Sequence, residues 1–398
     1  MHMDRKGIVV QLGGGVWMQD SIRQIQALGY AVHCLDVNPN APAFAVADAH
    51  AVITISDVEG VMEYAHRVGA DVVLALNDLG VLPAATYNRS IGLDCYDPGE
   101  VKYFTDKGHM RDRWREFGVA QPKYQICDSR DSMIWAISEI GFPCIVKPCM
   151  MWESRGVSKV NGPADIEFAV AFAMENARGP RYIVEECMLG VEVSVEGLFQ
   201  AGEAHILAKA DKELQQHDQY RVTVQINYQA NLPDNTMHEI DALVAQAGRA
   251  MGFRSGALHA ECMVTSEGVK MIEMAGRPGG GHIFGSIVEA VSGISMPQAL
   301  TRILLGEQVD LTPKKQGGAC YRFFNAPEGV FVAVRDLDQA KQVRGVLDMG
   351  FHLESGTRIT TMNHGANRPG FVVTAGANRA EAIAIAEQAY RTLRFEMK

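Results

Sequence analysis

The first hundred residues constrain the fold more than any bulk property, because short β-branched runs alternate there with stretches of helical period. An apolar run at 7–12 is followed by a stretch at 17–28 with Ile22, Ile25 and Leu28 on one face, and then by a run at 31–35. Gly29 is placed to end that helix. A third run at 51–55 meets Ser56-Asp57-Val58-Glu59, where Ser and Glu three apart read as a capping box for a helix reaching about Arg67. Gly69 and a fourth run at 71–76 follow. Repeated strand–helix–strand order demands a parallel sheet. The glycine-rich turn after the first strand, with Asp36 about 20 residues on, invites a dinucleotide site. Gly13-Gly14-Gly15 supplies the first two glycines of that fingerprint, but Met18 stands in the third place, where helix and strand must touch without a side chain. Dehydrogenase chemistry is therefore disfavoured.

Beyond residue 100 the pattern changes. A polar connection and a helix at 102–117 precede a strand at 144–147. Runs at 182–184, 191–199 and 205–209 then follow without long helices between them, which suggests antiparallel pairing. Helices at 237–251 and 285–305 are expected to cover that sheet. Strand-like 321–324 and 370–374 and a closing helix at 379–393 fit a small accessory lobe. The fold class is α/β, becoming α+β in its central part.

Composition limits the partners. With 47 acidic against 37 basic side chains, the formal charge of -10 argues against nucleic acid or an anionic membrane, while leaving room for local phosphate-binding lysines. No apolar run approaches the roughly 20 residues of a membrane span. The stretch 8–16 is broken by Gln11 and three glycines, unlike a signal-peptide core. Eight cysteines are scattered without a CxxC pair, so no zinc site or disulfide framework is indicated and a reducing cytoplasm is expected.

Chemistry concentrates at 259–277. Two alternating runs flank Thr265-Ser266-Glu267-Gly268, which reads as a β-hairpin. A three-residue loop pairs Thr265 with Val269 and sets Glu261 opposite Glu273, with Cβ atoms about 5 Å apart. Two carboxylates at that spacing repel by about 3 kcal/mol at an effective dielectric near 20. They need a proton or a cation, and oxygen-only ligands favour magnesium or manganese over zinc. Arg277 shares their face by the two-residue period and offers a fixed fork for phosphate or carboxylate. The alternative is a solvated edge with splayed carboxylates. A second cluster surrounds Lys147, a lysine in the apolar strand before Pro148; burying it requires an anionic ligand, a structural ion pair or a snorkelling stem. The loop at 150–159 carries Arg155, Gly156, Ser158 and Lys159, residues able to close over phosphates.

The ordered set of Asp106-Lys107, Met110-Arg111, Gly141 to Pro148, Gly156-Val157, Ile183 to Glu186, Gly190 to Glu196, Glu261 and Glu273 to Gly280 resembles the ATP-grasp superfamily along nearly the whole chain. The segment 13–19, with Asp36-Val-Asn-Pro-Asn-Ala-Pro, resembles the N-terminal domain of its carboxylate–amine ligases, such as L-amino acid ligases. The resemblance implies an N-terminal Rossmann-like domain at 1–100, an ATP-grasp domain at 101–315 with a mobile lid at 121–185, and a C-terminal accessory lobe at 316–398. It implies ATP and magnesium as cofactors, manganese being an alternative. By resemblance, Lys107 and Lys147 contact ATP phosphates, helped by Arg155 and Gly156. Glu185, Glu186 and Met188 form the adenine hinge, and Glu192 meets the ribose. Lys212 meets the terminal phosphates, while Glu261 and Glu273 hold the metal.

The implied reaction is ADP-forming ligation of a small carboxylic acid to an amine, both amino-acid-like, through an acyl phosphate. Arg277 and the backbone of Gly280 would orient that intermediate; His282 is either a base or a surface histidine after glycines. The stretch 213–232, with His217, Asp218, Tyr220 and Arg221, is either a second-substrate pocket or a solvated loop. Two features depart from the family pattern. Ala275 stands where relatives often have a metal-ligating Asn, leaving one or two metals open, and Trp152 is bulky in a loop that relatives keep small. A carboxylase, a purine-pathway ligase and a nucleotide binder without turnover are the alternatives. A homodimer is left open.

Overall fold

The computed structural model describes residues 5–151, 155–215, 222–359 and 368–398. Trp152 and the residues His217, Asp218, Tyr220 and Arg221 lie outside the described residues. Strands β1 (Ile8–Leu12), β2 (Ala31–Asp36), β3 (Ala49–Val52) and β4 (Val72–Ala75) form the expected parallel sheet, in the order β3-β2-β1-β4. Asp36 is engaged by its own turn: its carboxylate accepts from Gly14 N at 2.7 Å and Asn38 N at 2.8 Å. The cap of the helix Val58–Val68 is Asp57, which accepts from Gly60 N, rather than Ser56; Asp57 has the extended backbone that an N-cap needs. Gly69, at φ +65°, ends this helix in the left-handed conformation.

A second sheet is antiparallel and small: β5 (Tyr124–Cys127), β6 (Cys144–Pro148), β7 (Ser158–Val160) and β8 (Tyr182–Glu186), ordered β5-β8-β6-β7. The helices Arg130–Ile140 and Ile166–Asn176 pack on it. The run at 182–186 therefore pairs with β5 and β6 and not with the run at 191–200, because alternation marks a strand without naming its neighbour.

The largest sheet joins β9 (Val191–Gln200), β10 (Glu203–Leu214), β11 (Thr223–Tyr228), β12 (Gly256–Thr265) and β13 (Gly268–Ala275) to β14 (Gly318–Phe323). After β15 (Gly329–Arg335), β16 (Val346–Phe351), β17 (Arg358–Ile359), β18 (Gly370–Gly376) and β19 (Arg394–Met397), the order is β13-β12-β9-β10-β11-β14-β18-β16. The strands β17, β15 and β19 make a separate three-stranded sheet. One face of the large sheet, here the back, is covered by the helices Asp234–Ala250 and Arg379–Thr392. The front packs against the parallel sheet and the helical segment at 283–304.

Two expected helices are each broken. Asp106 interrupts the first, because its side chain caps the helix Lys107–Glu116 by accepting from His109 N at 3.0 Å. The second divides at Gly293, φ +77°, into a wide turn Ile283–Ile287 with Val288–Ser292, and a separate helix Met296–Leu304 capped by Ser295.

Candidate active site

The hairpin β12–β13 closes more tightly than its sequence implied, yet opposes the same two carboxylates. Thr265 pairs with Gly268 across a two-residue turn, and Thr265 Oγ1 both donates to Gly268 O at 2.8 Å and accepts from Glu267 N at 3.1 Å. Three pairs further on the register shifts, so Cys262 faces Met271 while Glu261 faces Glu273. Ile272 is the bulged residue, and its carbonyl accepts from Arg111 Nη2 at 2.6 Å.

Each carboxylate already faces a lysine. Lys212, from β10, bonds Glu261 and also lies 2.9 Å from Glu192 Oε1. Lys107, at the start of its helix, lies 3.3 Å from Glu273 Oε2 and donates to Met151 O at 2.6 Å. Burial opposes the charge of Glu261, but Lys212 and then His259 outweigh it and hold the carboxyl well below the usual range. Burial likewise works against both lysines. Glu273 and Asp78 keep Lys107 above its ordinary pKa, and Glu192 and Glu261 do so for Lys212.

Arg277 is gripped by a residue that sequence reasoning did not single out. Asp78, just past the carboxyl end of β4, accepts from its Nε at 3.2 Å and its Nη2 at 3.1 Å. Burial disfavours both charges, yet each keeps the other ionised: Asp78 is lowered and Arg277 is raised. The carboxyl end of a parallel strand is where such sites gather, so Asn77-Asp78 carried a readable signal. Arg111 also acts beyond its place in the motif. It donates from Nε to Glu185 Oε1 at 2.7 Å, while Lys147 Nζ lies 2.6 Å from Glu185 Oε2. Lys147 therefore has the ion-pair partner that its burial required. Burial opposes the charge of Glu185, but Arg111 and Lys147 pull its pKa down to about 2.

The remaining expected residues have contacts of their own. Glu186 accepts from Lys123 N at 3.2 Å, and Met188 follows β8, half-buried. Arg155 is half-buried, and Gly156 needs its missing side chain: at φ +72°, a Cβ would lie 2.9 Å from Pro148. A Cβ at Gly280 would meet nothing within 4 Å, while Gly279 N donates to Glu196 Oε2 at 3.2 Å. His282 is buried rather than superficial, packed on Phe371 at 4.9 Å, with Nε2 3.2 Å from Asp348 Oδ2 but outside hydrogen-bond geometry. Burial lowers its pKa, which favours the neutral ring. Ala275 lies opposite His259. The buried pair of His259 and Glu196 was also missed as a unit.

The donors at the centre suit a hard cation. Among the described residues, no group of three or more His, Cys, Asp or Glu side chains is arranged to hold a metal by itself. An ion at Glu261 and Glu273 would complete its shell with phosphate and water oxygens, as magnesium commonly does.

Comparison with known proteins agrees with this architecture. The family model "ATP-grasp domain" matches residues 140–285, and "L-amino acid ligase C-terminal domain 2" matches residues 322–398. The formate-dependent phosphoribosylglycinamide formyltransferase of Methanocaldococcus jannaschii is 31% identical over 183 residues, 44% of this chain and 46% of the relative. Its counterpart in Solidesulfovibrio magneticus is 23% identical over 373 residues, covering 84% and 93%. The match thus spans about half of the first relative and nearly all of the second. The L-amino acid ligase from Bacillus licheniformis superposes with a TM-score of 0.84 at 18% identity, over 100% of both chains. The N5-carboxyaminoimidazole ribonucleotide synthetase from Thermotoga maritima gives 0.74 at 18%, over 98% and 100%. With its motifs in order, a family match through its middle and this fold along its length, the chain belongs to the ATP-grasp superfamily and resembles the carboxylate–amine ligases within it.

Proposed function

We propose that the chain is an ADP-forming ligase that joins a small, amino-acid-like carboxylic acid to an amine through an acyl phosphate. The observation that carries this reading is the opposed pair Glu261 and Glu273, with Lys212 and Lys107 against them and Arg277 close by. Such a cluster suits the concentrated negative charge of a transferred phosphoryl group. Magnesium or manganese, held by the two glutamates, would neutralise phosphate charge as a Lewis acid.

The chain's own residues then divide the work. Lys107 and Lys147, with Arg155 and the Gly156 amide, bind the ATP phosphates. Glu185, Glu186 and Met188 line the adenine hinge, Glu192 receives the ribose and Lys212 meets the terminal phosphates. An oxygen of the acid attacks the γ-phosphorus, and the bond to ADP breaks with its electron pair leaving on ADP. Arg277 and the Gly280 amide hold the acyl phosphate. The amine attacks its carbonyl carbon, phosphate departs with the former acid oxygen, and neutral His282 takes the amine's proton. We assign residues 1–100, 101–315 and 316–398 to three domains, with 121–185 as the lid that closes on nucleotide.

No single described helix is long and apolar enough to cross a membrane. Eight free, buried cysteines support a reducing cytoplasm, and a homodimer is part of the proposal. The match at 322–398 favours amino-acid substrates. The formyltransferase relatives favour a second reading, with formate as the acid. ADP release measured with amino-acid pairs, with formate plus phosphoribosylglycinamide and with bicarbonate separates these readings. Stimulation by amino-acid pairs alone is expected; stimulation by formate or bicarbonate alone would replace the proposal.

A further inference from the structure

Glu196 lies fully buried on the front of β9, in register with His259 on β12 and Ala208 on β10. Its two oxygens have separate partners. Oε1 lies 2.7 Å from His259 Nδ1, and Oε2 accepts from Gly279 N at 3.2 Å. His259 presents its other nitrogen, Nε2, to Glu261 Oε1 at 3.6 Å. Gly279 follows Arg277 by two residues, and a Cβ there would lie 2.8 Å from both Glu196 oxygens. The turn approaches the carboxylate as closely as only glycine permits.

We propose that Glu196 is a positioning residue, tying Glu261 through His259 to the glycine turn that carries Arg277 and so fixing the spacing between the metal side and the acyl-phosphate side of the site. A buried carboxylate with a charged partner adds little net stability over an apolar side chain of similar volume. What it supplies is two directed contacts from one rigid group, to two segments 20 residues apart, numbered 259 and 279. The inference rests on the ligase reading for the identity of the bound groups, while its geometry and its test do not require turnover.

The test compares wild type with Glu196→Met, which removes both contacts at similar volume, and with Gly279→Ala, which pushes the turn away from an intact Glu196. Manganese is the probe, titrated by electron paramagnetic resonance in the presence of ADP, alongside calorimetry of ADP without metal. Outer-sphere partners of metal ligands typically contribute 10–100-fold to affinity or activity. Glu196→Met is expected to weaken manganese binding about tenfold, with metal-free ADP affinity within about twofold of wild type. Gly279→Ala is expected to weaken manganese binding by a smaller factor, and it decides the matter if Glu196→Met does not fold. Once a substrate pair is known, kcat should fall while KM for ATP holds. Manganese affinity unchanged in the folded variants, or an equal loss of metal-free ADP affinity, would overturn the proposal. A chain that shows the manganese effect but never releases ADP would sink the ligase reading and leave this one standing.

Discussion

The stretch of sheet formed by β9, β10 and β11 carries polar side chains on both faces, and the two sets are organised differently. On the back, Asp211 accepts from Arg379 and from Asn231 N, Glu213 accepts from Asn227 at 2.8 Å and Gln225 at 3.3 Å, and Lys209 reaches Asp241 at 2.5 Å. These groups are satisfied within the protein and lock the sheet to its two covering helices. On the front, Lys212 bonds Glu192 and Glu261 and Glu196 meets His259, while Ser194 Oγ and Tyr228 OH are buried without a hydrogen-bond partner. Unsatisfied buried groups are costly and call for a reason. Binding surfaces arise where polar groups are held ready for something other than the protein, so one-residue alternation along a strand separates a network satisfied within the protein from the proposed catalytic one.

The strongest way to break this comparison is at the hairpin. Glu273→Gln keeps shape and removes charge from the front, and kcat should fall by about 10³-fold, with an unchanged circular-dichroism spectrum. Near-normal turnover at saturating magnesium would remove Glu273 from the metal site. The paired variants Lys212→Met and Arg379→Met sharpen the contrast. The first should lower kcat about 10²-fold or more, besides the stability lost by leaving Glu192 and Glu261 without their shared lysine. The second should cost about 1–3 kcal/mol of stability while kcat stays within about threefold. Equal effects on both quantities would erase the distinction between faces.

The small antiparallel sheet offers a stability test. Glu185→Ala leaves Arg111 and Lys147 buried without their shared carboxylate, and urea unfolding should register a loss of about 3–5 kcal/mol. The smallest expected effect is its pH dependence. Because the folded carboxyl titrates at about 2, below its unfolded value of about 4.3, its stabilisation is complete above the unfolded pKa and disappears as pH falls through the folded one. The stability difference between wild type and Glu185→Gln should therefore shrink between about pH 4 and pH 2. A difference that stays flat across that window would remove Glu185 as its source.

How much of this was legible depends on whether the deciding contact is local. The two-residue period puts Glu261 and Glu273 on one face, and because the Ile272 bulge restores the register that the shorter turn shifts by one, their pairing was legible. Their exact neighbours in the turn were not, because Thr265 closes a shorter loop and the Ile272 bulge answers to Arg111, 161 residues away. Asp106 divides the helix expected at 102–117, because Asp is a strong N-cap and its side chain starts a new helix at Lys107. Asp78 and Arg277 are 199 residues apart and Glu196 and Gly279 are 83 apart, distances at which one sequence names neither partner. The parallel character of the first sheet was legible early because strand–helix–strand succession is written in local periodicity, although the order of its strands was not.

The most direct test of the central claim follows one oxygen atom. The acid is supplied with oxygen-18 in its carboxylate, together with ATP, magnesium and the amine identified by the ADP-release screen, and the released phosphate is analysed by mass spectrometry. Attack by the acid on the γ-phosphorus predicts one labelled oxygen in each phosphate formed, with ADP as the nucleotide product. Phosphate without label, or AMP and pyrophosphate in place of ADP and phosphate, would contradict the acyl-phosphate ligase reading.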